Sequence, residues 1–157
     1  MIKNKNKFLF YLLIIPIYLL CIYMFSQQTG DASNHISKGI LRSFAEFLNK
    51  YVGLGLNDNS SFDTLNLIFR KLLHFSEYFF LAVLLYGMLK LFSVSSSVRF
   101  FLTFSIAVLY SASDEIHQIF VPKRTARITD VFIDSTGILL GAVLMYYFEK
   151  RKSARQA

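Results

Sequence analysis

The run from Phe8 to Phe25 constrains this chain most: about 18 residues without a charge, near the length a helix needs to cross a hydrocarbon core of roughly 30 Å. Three more apolar segments follow, at about 65–89, 100–119 and 128–148. Four such segments in 157 residues leave little chain for a soluble core. Composition agrees, since 54% hydrophobic and 17% aromatic residues are too apolar for a freely solvated surface. The expected architecture is all-α, one membrane domain over 1–157 with four transmembrane helices. After the first run, Ser26-Gln27-Gln28 does not resemble the small-x-small site of a signal peptide, so that run is expected as an uncleaved span. Pro16 then lies in mid-helix and needs support from a neighbouring helix.

Between the first two spans lies a stretch too long for a bare loop. In it Ile36, Ile40, Leu41, Phe44, Phe47, Leu48 and Tyr51 recur every three or four residues, with Lys38, Arg42, Glu46 and Lys50 largely between them. This spacing predicts an amphipathic helix over about 33–51. It lies on the membrane surface or caps the bundle, and the sequence leaves both open. Gly53, Gly55, Asn57, Asp58, Asn59, Ser60 and Ser61 read as a turn-rich connector.

The net charge of +7 sits mostly at the two ends, in Lys3, Lys5 and Lys7 and in Lys150, Arg151, Lys152 and Arg155. Such flanks anchor membrane spans, and nothing in them calls for nucleic acid. A single cysteine, Cys21, rules out an intrachain disulfide and a cysteine-based metal site. With Lys90 and Arg99 in the short loop between the second and third spans, the positive-inside rule puts both termini in the cytoplasm. The segment Phe120 to Arg127 then faces outward, yet it carries Lys123, Arg124 and Arg127. Charges placed against the rule suggest a local purpose, such as holding an anion or pairing with carboxylates.

Three helices bring polar residues to that outer leaflet. Arg70, Lys71, His74 and Glu77 run inward along the second span, and 70, 74 and 77 share a face. The third span ends on Ser113, Asp114, Glu115, His117 and Gln118, where 114, 117 and 118 share a face and Glu115 points about 100° from Asp114. The fourth begins with Arg127, Asp130 and Asp134 in register. Ionisable groups inside a span cost roughly 2.5–3.5 kcal/mol each, so they face one another or a water-filled cavity. An outward pocket follows, with Arg124 and Arg127 at its mouth and Glu77 and Asp134 deepest. Below Asp134, Gly137 and Gly141 form a small-residue face for close helix approach.

The strings Arg70-Lys71-x-x-His74-x-x-Glu77-Tyr78, Ser113-Asp114-Glu115-Ile116-His117-Gln118-x-Phe120-Val121-Pro122-x-Arg124 and Asp130-Val131-x-x-Asp134-x-x-Gly137 resemble the VanZ-like family. Phe25-Ser26-Gln27-Gln28 is similar to that family too. The resemblance runs from about residue 8 to 148. It departs at Lys123, where a small residue such as glycine is expected for a left-handed turn. It implies a multi-pass protein of the bacterial cytoplasmic membrane, some of whose relatives are linked to resistance against teicoplanin-type lipoglycopeptides. It implies no settled reaction.

Three functions remain open from the sequence. In the first, the chain acts at the cell envelope without chemistry of its own, its basic residues Arg70, Lys71, Arg124 and Arg127, with Gln118, holding an anionic lipid or a lipid-linked cell-wall precursor. In the second it is a membrane-embedded hydrolase or transferase on a lipid-linked phosphate. There His74, Glu77, Asp114, Glu115, His117, Asp130 and Asp134 supply acid and base groups, or His74, Glu77, His117 and Asp134 hold a divalent metal. The set suits zinc or manganese, but no HExxH string is present. The third is a proton-coupled transporter, for which four spans are few unless the chain forms oligomers.

Overall fold

The computed structural model describes residues 4–52 and 59–155, with the side chains at 48, 49, 52 and 59–61 outside the description. The expected roles of Leu48, of Lys3 and of the connector residues Gly53, Gly55, Asn57 and Asp58 therefore fall outside it. The described chain is helical and without strands: α1 (Lys5–Ser26), α2 (Gly30–Val52), α3 (Asn59–Leu89), α4 (Ser96–Gln118) and α5 (Ile128–Ala154). Four of these, all but α2, are long and apolar enough to cross a membrane. Their outer faces remain apolar: Leu13, Leu109 and Phe132 are among the exposed large residues, as expected where lipid is the solvent.

Helix bounds run past the expected spans, α5 to Ala154 and α2 from Gly30, and two starts take in residues read as connector or loop. Asn59, Ser60 and Ser61, read as connector, form the first turn of α3; short polar residues favour helix starts as much as turns, so composition alone does not separate the two. Arg99, read as a loop charge, lies in the first turns of α4, 6% exposed. The start of α4 is set by Ser95, whose hydroxyl accepts the Val98 N–H. Asn4 caps α1 in the same way through the Lys7 N–H.

Helices α3 and α4 form the centre of the bundle, with α1 and α5 each packed on both. Tyr78, Leu81, Ala82, Leu85, Ala107 and Ile138 are buried at their meeting, with Ile15 and Ile22 from α1. Pro16 leaves α1 unbroken. The turn beyond it is tied to both central helices: the Tyr18 hydroxyl donates to the Glu77 carbonyl (2.9 Å) and the Tyr110 hydroxyl to that of Leu19 (2.9 Å). The closest seam joins α3 and α5. A Cβ on Gly137 would lie 2.3 Å from the Phe75 carbonyl oxygen, and one on Gly141 2.6 Å from that of Phe79. Only glycine permits this backbone approach.

Helix α2 turns back from the end of α1 and packs on the start of α3. Asn66 donates to Asn34 (2.7 Å), Lys38 pairs with Asp63 (2.6 Å) and Arg42 lies over the Phe62 ring. Ser37 and Ala45 are buried there, whereas Ile36, Ile40, Phe44, Phe47 and Tyr51 face away from the bundle. The polar side of the helix meets protein and its apolar side is left outward.

Candidate functional site

Where α1 turns into α2, the starts of α3 and α5 and the end of α4 converge on a cavity of about 330 Å³. Its wall on α3 is Leu67, Arg70, Lys71 and His74, the positions that three-and-four spacing places on one face. Gln118 enters from α4 and Asp130 and Ile133 from α5, while Lys123, Arg124, Thr125 and Arg127 come from the loop between those helices. Gly30, Asp31 and Asn34 close the side toward α2.

The loop takes its shape from two close contacts. Val121 is buried, and the Gly30 N–H donates to the Pro122 carbonyl (3.2 Å). A Cβ on Gly30 would sit 1.9 Å from the Lys123 carbonyl oxygen, so a side chain there would push the α1–α2 corner off the loop. Lys123 itself has φ 60, the left-handed conformation expected from its place in the turn, which costs a lysine more than a glycine.

Among the loop cations, two are already engaged by protein. Lys123 pairs with Asp31 on α2, which raises its pKa. Arg124 donates to the carbonyls of Gln28 (2.8 Å) and Phe25 (2.9 Å), closing the open end of α1 in the manner of a basic residue at a helix C-terminus. Burial, and then the nearby Arg70 guanidinium, pull the Arg124 pKa below its usual value. On α3, Lys71 pairs with Asp130 of α5 at 2.9 Å.

Arg70 and the Arg127 side chain differ from these. Among the described residues neither guanidinium has a hydrogen-bond or ion-pair partner, and both line the cavity. Five cationic side chains therefore surround it against two carboxylates, Asp31 and Asp130, and each of those carboxylates already has a lysine.

The remaining residues singled out from the sequence are divided. His74 lines the cavity, with its Nδ1 3.6 Å from Glu77 Oε2 behind it. Gln118 lines it too, donating to Asp114 at 3.2 Å. His117 shares a turn with Gln118 but faces α1, where its Nε2 is 2.8 Å from Gln27 Nε2 and its ring is 5.2 Å from that of Tyr23. Glu115 is buried and accepts the Arg127 backbone N–H, placing a carboxylate at the positive end of α5. Asp134 is 3% exposed and accepts from Ser111 at 2.8 Å. Glu77 and Asp134, expected deepest in the pocket, thus lie behind its wall, and among the described residues no three His, Cys, Asp or Glu side chains converge as a metal site. The α1–α2 corner, with Gly30, Asp31 and Asn34, is the part that sequence reasoning missed. The loop's departure from the positive-inside rule was the available signal for it, because such charges need partners somewhere.

The family model described as VanZ/LLP1 covers residues 8–149. No curated protein matches, and no solved structure does.

Proposed function

The chain belongs to the VanZ/LLP1 family, and from that premise we propose that it is an envelope protein whose cavity binds a phosphate-bearing ligand of the lipid-linked cell-wall precursor class. The observation that carries this reading is the pair of guanidiniums, Arg70 and Arg127, that face one cavity without a hydrogen-bond or ion-pair partner among the described residues. Clustered arginines whose neighbouring carboxylates are already paired with lysines repel each other until an anion joins them, and planar guanidiniums match phosphate oxygens two at a time. The positive-inside rule places this end of the bundle on the outer face of the cytoplasmic membrane and both termini inside. The outward apolar side of α2 suits a helix seated in the headgroup layer. Binding a wall precursor there would alter susceptibility to teicoplanin-type drugs.

The test is mass spectrometry of lipid retained by protein purified in mild detergent. Wild type should retain phosphate-bearing lipid, and Arg70→Gln with Arg127→Gln should lose most of it at unchanged yield of folded protein. Equal retention by both proteins rejects the reading. In cells, the same pair of substitutions should return teicoplanin susceptibility to that of a strain lacking the gene.

A second reading rests on His74. It is on the cavity wall with a carboxylate 3.6 Å behind its ring, an arrangement in which the acid orients a general base. On this reading the protein cleaves or transfers the bound phosphate. Phosphate release from lipid-linked diphosphates should then fall to background in His74→Ala while binding persists. No release by wild type under conditions where the ligand binds removes this reading and leaves the first.

A further inference from the structure

The cavity is polar on most sides but has two apolar wall residues, Leu67 and Ile133. Both lie on the same edge of the bundle. Leu67 stands one turn before Lys71 on α3, and Ile133 one turn after Asp130 on α5, so the Lys71–Asp130 bridge spans the gap between the two helices with an apolar side chain on either side of it. Helix α1 packs on α3 and α4, and α5 packs on α3 and α4 as well. Leu67 is 57% exposed although it lines the cavity, so the cavity wall is open at this residue. Leu72 on α3 and Ile128 and Phe132 on α5, close to Leu67 and Ile133 in the chain, are exposed as well. Ile133 is five residues into α5, about 7 Å along its axis, inside a segment that reads as membrane-spanning. One turn deeper the gap ends, because Gly137 closes on the Phe75 backbone.

We infer that this edge is a lateral portal and that the ligand is a single amphiphile: its phosphate head meets Arg70 and Arg127, and its hydrocarbon chain leaves sideways between α3 and α5 across Leu67 and Ile133. This deepens the phosphate-binding reading and rests on it. The Lys71–Asp130 bridge is the latch of the portal, since it joins the two helices where the chain must pass. The bridge lies at the bundle's surface, its side chains 45% and 30% exposed, so parting it displaces no buried core residue. A head that is anionic and a wall that is apolar together select a lipid phosphate over a free one. The phosphate is held by charge, and the chain never has to leave the bilayer to follow it in.

The test compares two probes with the same head, inorganic pyrophosphate and geranylgeranyl diphosphate, titrated into detergent-solubilised full-length protein by calorimetry. Wild type should bind the prenyl compound at least about a hundredfold more tightly, as burial of several chain carbons requires. Leu67→Trp and Ile133→Trp, which fill the portal, should weaken the prenyl compound by roughly tenfold or more and leave pyrophosphate unchanged. Leu67→Ser and Ile133→Ser remove the apolar wall without adding bulk, and should show the same selective loss if a tryptophan variant does not fold. Pyrophosphate binding that equals prenyl binding in wild type, or portal variants that leave both unchanged, overturns the inference while the phosphate reading stands. Failure of wild type to bind either probe overturns both.

Discussion

At the end of the bundle that carries both termini, Arg99 is buried and its charge is answered. Glu149 pairs with its guanidinium, the Val94 carbonyl accepts from Nε at 3.2 Å, and the Tyr86 hydroxyl donates to the other Glu149 oxygen at 2.7 Å. At the cavity end, Arg70 and Arg127 face open space without a partner among the described residues. The same residue type serves two purposes. A buried arginine whose three nitrogens each meet an acceptor links α4 to α5 and, through Glu149, to α3, whereas an unfilled one is stabilised only when an anion arrives. Placement in the membrane makes the contrast sharper, because an unanswered charge costs most where water is scarce.

Breaking the filled end should have the largest effect. Glu149→Ala leaves Arg99 buried and uncompensated, and is expected to destabilise the protein by about 3–5 kcal/mol, read as a large drop in thermal midpoint in detergent. A small effect would mean that water reaches Arg99 and that the two ends are less different than drawn here. Next comes the corner that shapes the cavity. Gly30→Ala puts a methyl group into the Lys123 carbonyl and should cost about 1–3 kcal/mol together with most ligand binding. Loss of binding without loss of stability would show that the corner moves freely off the loop. Ser111→Ala removes the hydroxyl that donates to Asp134, with an expected cost of about 1–2 kcal/mol and little change in binding, since Asp134 is behind the cavity wall. The smallest effect has the opposite sign. Lys123→Gly relieves the left-handed backbone at φ 60 and gives up only a surface pair with Asp31, so the thermal midpoint should rise slightly; a fall would mean that the Asp31 pair holds α2 to the loop.

Much of this contrast can be anticipated from the sequence, but unevenly. Four long apolar runs identify the membrane helices, because length and hydropathy are local properties. The Gly137–Gly141 spacing foretells the α3–α5 seam for the same reason, and the face shared by Arg70, Lys71 and His74 follows from helical geometry alone. Partners are another matter. Arg99 and Glu149 are 50 residues apart, and no periodicity links them, so Arg99 reads as one more basic flank residue. Arg124 reads as an anion ligand, whereas its Nε and one terminal nitrogen donate to carbonyls nearly 100 residues earlier, on α1 and the turn after it. His117 shares a helical face with Gln118, but a neighbouring helix claims it first. Spacing tells which face a side chain is on; only the packing of the other helices tells what that face meets.

The claim that the cavity-end arginines await an anion is tested most directly by thermal unfolding of wild type and of the Arg70→Gln, Arg127→Gln double variant, each with and without pyrophosphate. Without ligand the double variant should melt at or slightly above wild type, because two uncompensated charges are gone. With ligand, wild type should gain stability as ligand concentration passes its Kd and the double variant should gain none. A double variant that melts well below wild type without ligand, or that gains as much from pyrophosphate, would contradict the account.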